Sequence, residues 1–372
     1  MKKRMIMLVL VVLMMVGVMP MNASAQDGTM NFSVTAVIPE NQIDKTKTYF
    51  DLMMEPGQVQ VLDVLMNNPL DKEVVVENHA NTAVTNDNGI VDYSNSKPKL
   101  DETLQAPFSA ITEVEKETTI PPKSSKTLKV KVTMPNEELD GVVLGGLHFT
   151  EKEDASKEEQ DKSGVQIKNR FAFAIGVLIR ENDKVVKPDL KLGKIQPSQV
   201  NYRNVLKANI QNTQPVIIQD MEVDARITQK DSKNSLFEQK RTGLRMAPNS
   251  NFNFGVSWDN QEFKAGSYTL HMNVTSGSEK WKWSKDFEIS SKEAKELNEK
   301  AVELKVDNTK WYIIGAIAGA IVLILFTFIL TQYISKKKRI KRKRLKAEAA
   351  KRKRKKATSK KMNNTNSVKK NK

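Results

Sequence analysis

The chain has 372 residues, a formal net charge of +16 and no cysteine. The lack of cysteine excludes a disulfide-stapled scaffold and any thiolate metal or redox site, so each folded domain needs an apolar core of its own. The positive charge is not spread evenly, and its placement divides the chain.

The amino terminus carries Lys2, Lys3 and Arg4, then an apolar run from Met5 to Met19 and small residues Ala23 and Ala25. A basic start, an apolar middle and an A-x-A end describe a secretory signal peptide, which we assign to residues 1–25. An exported chain without cysteine fits a bacterial surface with one membrane.

From residue 31 to 290, period-two alternation dominates. Leu128, Val130, Val132 and Met134 share one strand face, as do Met221, Val223, Ala225 and Ile227. Phe252, Phe254, Val256 and Trp258 form another such row, followed by Tyr268, Leu270, Met272 and Val274. The runs Val142–Phe149 and Phe171–Ile179 are apolar on both faces and predict central strands. Turn signals at Asn67, Pro121 and Lys264 separate these runs. Short strands at this spacing predict an all-β ectodomain of two tandem immunoglobulin-like sandwiches. The first is expected over residues 31–182 and the second over 188–290, joined through Glu181–Pro188. The charged stretch Glu151–Gly164 has no apolar face and reads as a mobile insert. Trp281 and Trp283 share parity with Phe287 and Ile289, which makes that side of the strand the core side.

After Ser290, a helix-prone segment places Ala294, Leu297, Ala301 and Leu304 in a short seam, and residues 291–310 are expected to form a helical stalk. Residues 311–333 hold no charge and are flanked by Trp311, Tyr312 and Tyr333, the pattern of one transmembrane helix with interfacial aromatics. Gly315 and Gly319 give the G-x-x-x-G spacing of a helix-contact face and a candidate homodimer seam.

The tail 334–372 holds 20 Lys and Arg against one acid, Glu348. That excess marks a cytoplasmic side, so the ectodomain is expected outside the cell membrane. The tail is expected to lie against anionic lipid. Without aromatics to stack on bases, it is not read as a nucleic-acid binder.

No catalytic constellation is visible. His79, His148 and His271 are scattered, with no H-E-x-x-H or G-x-S-x-G pattern, so neither catalytic residues nor a metal or other cofactor are expected. His148, within an apolar strand, reads as a core or edge residue.

The run Ala83–Asn95 is unusual in packing Asn86, Asp87, Asn88 and Gly89 between two small apolar groups. Set as a calcium loop with Gly89 at its sixth position, it would have Val84 first and Asn95 twelfth, where carboxylates are required. Asn88-Gly89 instead predicts a type I′ hairpin turn with both residues at φ > 0. Asn86, Asp87 and Asn88 at its tip, with Tyr93 on the return strand, are the candidate ligand-binding residues.

Phe32–Asn68, Ala80–Asn95 and Leu139–Phe149 resemble the first domain of the WxL-interacting protein family. Leu190–Ile227 and Gly255–Ile289 resemble its second domain. The resemblance implies a Gram-positive surface protein whose first domain binds peptidoglycan and whose second binds a host protein. It also implies association with WxL proteins of the cell wall. The expected function is a membrane-anchored adhesion scaffold. It would grip peptidoglycan with residues 31–182 and a WxL-domain protein or host extracellular matrix protein with residues 188–290. The alternatives are a surface sensor that signals through its basic tail and a hydrolase of wall material.

Overall fold

A computed structural model of the chain describes residues 30–152, 171–305 and 309–368. The signal segment and most of the charged insert lie outside the described residues. The folded body ends at Leu304, and the remainder forms a separate unit.

The first sandwich begins with β1 (Ser33–Val37), β2 (Phe50–Met53), β3 (Val59–Asn68) and β4 (Val74–Thr82). A small hairpin follows, β5 (Val84–Thr85) and β6 (Val91–Asp92), then one helical turn, α1 (Phe108–Ile111). The remaining strands are β7 (Thr112–Val114), β8 (Glu117–Ile120), β9 (Ser124–Thr133), β10 (Val143–Glu151) and β11 (Ala172–Arg180). One sheet has the order β1-β3-β9-β7 and the other β2-β11-β10-β4-β8. The inward rows are those the alternation marks. Leu62, Val64 and Met66 of β3 meet Leu128, Val130 and Val132 of β9, and all six are buried.

The second sandwich is built from β12 (Leu190–Val200), β13 (Arg203–Asn212), β14 (Ile218–Gln229), β15 (Ser235–Met246), β16 (Ser250–Ser257), β17 (Gly266–Ser276) and β18 (Glu279–Ile289). Its sheets are β12-β13-β16 and β15-β14-β17-β18, the three-plus-four strand count of a constant-type immunoglobulin domain. Trp258 anchors its core, with the ring of Phe237 at 4.1 Å and that of Phe263 at 4.8 Å. Trp281 and Trp283 are half-buried and lie against this core, the side their parity indicates.

Both sandwiches close one end with the same device. Asn68, at the end of β3, donates to the carbonyls of Lys72, Ile120 and Pro121. Asn212, at the end of β13, donates to those of Val216 and Ala247. Each amide is fully buried and satisfies main-chain acceptors that the strand ends leave open.

One expectation needs correction here. The first part of the segment read as a stalk, residues 291–300, is docked. Helix α2 (Ser291–Lys300) starts with a capping box between Ser290 and Glu293. It buries Ala294 and packs Leu297 against the second core. Asn298 fixes it further, accepting from the Phe263 N–H at 2.8 Å and donating to the Phe263 carbonyl at 2.9 Å. Ala294 and Leu297 of the seam therefore face their own sandwich. β11 is an interior strand of its sheet, as its apolar run indicates, although its cover is uneven. β2 covers only Val177–Arg180 of its outer edge. On its outward face Ala172 and Ala174 are exposed, while Leu178 packs on a small apolar cluster with Leu144.

On the outer face of the larger sheet, His148 sits opposite His79 in the β10–β4 register. Burial pushes the His148 imidazole below the usual histidine range, and the neighbouring His79 adds to this. A histidine held neutral by the fold contributes stability fully above the ordinary value of 6.5, and loses it as pH falls through that value toward the lowered one. We predict that the melting temperature drops between about pH 7 and 5 and that His148→Gln flattens this drop, read by thermal denaturation across the range.

The second unit is helix α3 (Thr309–Val368). Among the described residues it is the one helix long and apolar enough to cross a membrane. It continues without a break from the apolar stretch into the basic tail.

Candidate functional site

The polar loop singled out in the sequence lies where the two sandwiches meet. Its turn is not type I′. Among its residues only Gly89 has φ in the left-handed region, at 71°. The Gly89 N–H donates to the Asn86 carbonyl at 2.8 Å, and the Asn86 N–H to the Ile90 carbonyl at 3.0 Å. This is a type I turn followed by a left-handed glycine, the three-residue hairpin with a bulge. The Asn86 side chain stabilises it by accepting from the main chain of Asn88 and Ile90, so Asn88 needs no left-handed conformation.

The turn aims Asp87 at the second sandwich. Its carboxylate accepts from the Asn253 N–H at 2.9 Å and pairs with Lys207 at 3.0 Å. Arg241 donates to the Asp87 carbonyl at 3.3 Å, and the Arg245 N–H to the Gly89 carbonyl at 2.8 Å. Burial pushes the Asp87 carboxyl up, but the bonds from Asn253 and Lys207 outweigh it and hold the group below the ordinary carboxylate range.

A second carboxylate repeats the arrangement. Asp101 is buried and accepts from Gln211 at 2.9 Å and Asn251 at 2.5 Å, both on the second sandwich. Burial raises its pKa, and the bonds from Thr103, Gln211 and Asn251 more than reverse this.

Between the two acids, Thr85 and Ser250 share a buried hydroxyl contact of 2.6 Å, and Thr85 also accepts from the Ala247 N–H at 3.0 Å. Beside them, Ala83, Leu144 and Ala247 form a small buried apolar cluster, with Val142, Leu178 and Ile217 packed on it. The contact is closest at Gly141, whose φ is +84° and whose added Cβ would lie 2.2 Å from the Pro215 carbonyl oxygen. That same carbonyl accepts from the Val142 N–H at 2.8 Å.

Tyr93 is placed differently. Its ring lies over Gly146 of β10, where an added Cβ would come within 2.7 Å of it. Its main-chain carbonyl accepts from Asn81 at 2.7 Å, and burial raises its phenol above the usual range. Of the four candidate residues, the structure puts Asp87 in the junction, Asn86 in the turn, Tyr93 on the sheet and Asn88 in solvent.

Next to the junction lies a polar cleft of about 200 Å³. Asn86, Asp92, Asn95, Lys99, Asp101 and Asn251 are among the residues that line it. Pockets that engulf small ligands run to about 300–1,000 Å³, so this one suits a single sugar ring or one side chain. Its side chains offer amide, ammonium and carboxylate groups in hydrogen-bonding range of such a guest. Asn95, Lys99 and Asn251 are not among the four candidates that the sequence offers, and Asn251 joins the cleft from about 150 residues away. Among the described residues, no group of three or more His, Asp or Glu side chains could hold a metal ion.

Residues 32–151 match the family described as "WxL Interacting Protein, peptidoglycan binding domain". Residues 162–299 match the one described as "WxL Interacting Protein, host binding domain". The chain belongs to the WxL Interacting Protein family. Its matched domains are binding domains, and they give this WxL Interacting Protein family member a surface adhesion and binding role.

No curated protein matches the chain significantly. Among solved structures, a CFA/I fimbrial chaperone–tip adhesin complex is similar at 9% identity, covering 70% of this chain and 98% of that one with a TM-score of 0.28. The class 5 fimbrial chaperone CfaA is similar at 13% identity, covering 64% and 95% with a TM-score of 0.25. A PapD-like domain of human CEP192 is similar at 9% identity, covering 45% and 99% with a TM-score of 0.26. Scores this low carry no functional argument.

Proposed function

We propose that this WxL Interacting Protein family member is a single-pass surface scaffold. Its ectodomain lies outside the membrane and its basic tail in the cytoplasm. The observation that carries the reading is the pair of binding-domain matches, end to end along the ectodomain and ahead of an apolar helix. The first sandwich holds peptidoglycan, and the second holds a WxL-domain protein or a host matrix protein. The wall contact lies in the junction cleft, where Asn95 and Lys99 are not used in the clasp between sandwiches. Asp87 is reassigned from ligand contact to that clasp. The tail follows anionic lipid, and Gly315 and Gly319 form a homodimer seam.

The test is co-sedimentation of the ectodomain with insoluble peptidoglycan. The wild type is expected in the pellet, and the double variant Asn95→Ala, Lys99→Ala is expected to reduce the bound fraction at least fivefold with an unchanged circular dichroism spectrum. Equal pelleting of both removes the cleft. A wild type that stays in the supernatant removes wall binding altogether.

One observation favours a second reading. α3 runs as one 60-residue helix through apolar stretch and tail, a continuous rod that would transmit ectodomain occupancy inward. Replacing the basic residues beyond Lys338 by neutral ones separates the two. The scaffold keeps its surface attachment and leaves transcription unchanged, whereas a sensor alters transcription.

A further inference from the structure

Sheet edges in a soluble fold expose unpaired main-chain groups and are normally protected by charge, bulges or cover. Most edges of this ectodomain are. β12 has Lys191 and Lys194, a break in register between Leu192 and Ile195, and Lys285 donating to the Gly193 carbonyl. β15 has three register breaks along β14. β18 presents Lys280, Lys282 and Lys285. On β8, Glu117 pairs with Lys152 at 2.7 Å, and on β7, Glu113 pairs with Lys131 at 3.2 Å. The free side of β16 is crossed by the Asp87 turn and by Arg241, which donates to the Gly255 carbonyl.

Among the described residues, the amino-terminal half of β11 has none of these devices. From Phe171 to Ile179 there is no charged residue. On its outer edge β2 pairs with Val177–Arg180 and stops, so among the described residues no strand pairs there with Ala172–Gly176. Which groups face outward follows from the strand's alternation. The Met54 N–H donates to the Arg180 carbonyl at 2.9 Å, so Arg180 turns its main chain to the β2 side. Residues of the same parity do likewise, which puts the N–H and C=O of Ala172 and Ala174 on the open edge. The side chains there are small and exposed, and Phe171 is 40% exposed. The other uncharged edge, β1, borders the same seam. Phe32 beside it meets Phe173 edge-on with ring centroids 5.1 Å apart.

We propose that Ala172–Gly176 is a strand-acceptor site that takes an extended, uncharged segment of a partner protein as an added strand continuing the row begun by β2. An extended main chain is the chemistry that satisfies two alternating N–H and C=O pairs on one line. The apolar seam where Phe173 meets Phe32, with exposed Phe171 near it in sequence, selects apolar side chains at alternate positions. The inference does not depend on where peptidoglycan binds.

The probe is the fluorescent nonapeptide KTVTVTVTK, with a control peptide N-methylated at alternate residues along one edge, added to the full-length protein in nanodiscs. Anisotropy is expected to show saturable binding of the first peptide and none of the control. Amide exchange at Ala172 and Ala174 is expected to slow at least tenfold when the first peptide saturates. Ala174→Pro removes one outward donor, and Ala172→Lys adds the missing charge. Each is expected to weaken binding at least tenfold with an unchanged melting temperature. If Ala174→Pro fails to fold, Ala172→Lys and the N-methylated peptide still decide. Absence of binding, equal binding of the N-methylated peptide, or protection at another edge overturns the proposal. So does a dimer of the chain that excludes the peptide and dissociates in Ala172→Lys, which would make a second copy the occupant.

Discussion

Gly145→Ala is expected to be the most damaging single methyl that can be added to the first sandwich. The new Cβ would lie 2.0 Å from the Phe108 ring, and Phe108 is fully buried as the plug that α1 inserts into the core. Neither side has room to yield. β10 is paired along both edges, with β4 and β11, so it does not slide away from the ring. Overpacking a close-packed core costs about 1–3 kcal/mol and more where the backbone is fixed. We expect a loss of about 3 kcal/mol or more and a fall in melting temperature on the order of 10 °C. Gly243→Ala is the control, because Gly243 has φ +69° but nothing within 4 Å of an added Cβ. It should show the cost of a side chain in the left-handed region alone, about 1–2 kcal/mol. Differential scanning calorimetry of both variants checks this, and similar losses in the two would refute the packing argument.

Gly141→Ala is expected to part the two sandwiches while leaving each core intact. The substitution adds a side chain at φ +84° and drives it against the Pro215 carbonyl, which accepts the Val142 N–H. The Ala83–Leu144–Ala247 cluster would open with it. The wild type should unfold in one calorimetric transition and the variant in two, with faster proteolysis at Glu181–Pro188. A single transition and unchanged proteolysis would show that the junction does not hold the sandwiches. The acids of the junction also set its acid limit. Asp87 and Asp101 have carboxyls held below the ordinary carboxylate value of 3.8, so their contribution is present above that value and is lost as pH falls from it through the lowered values. Asp87 is about half exposed, and solvent screening keeps its share small.

Strand periodicity made much of the fold legible. Alternation in Met221–Ile227 or Phe252–Trp258 reports which side of a strand meets a core, and that is a local property. What each strand pairs with is not local, which is why the run 171–179 reads as an interior strand, as it is, without showing that β2 covers only Val177–Arg180 of its outer edge. Ala172, Ala174 and Gly176 look apolar in any position and give no sign of it. Helix α2 was misread for a related reason. Asn298 carries its docking through bonds to Phe263, and a polar residue on a charged helix gives no sign of that. At the Asn86–Ile90 turn, the dipeptide Asn88-Gly89 suits either hairpin type, and the Asn86 side chain decides between them. The candidate site was located only in part. Asp87 lies in the junction, but its partners at 207, 241 and 253 are far along the chain, and nothing in its local sequence points to them.

The most direct test of wall binding at the junction is amide exchange of the full-length protein with and without purified peptidoglycan. Slower exchange over residues 92–101 and 249–251, with β18 unchanged, is the predicted result. Protection confined to the second sandwich, or none at all, would contradict it.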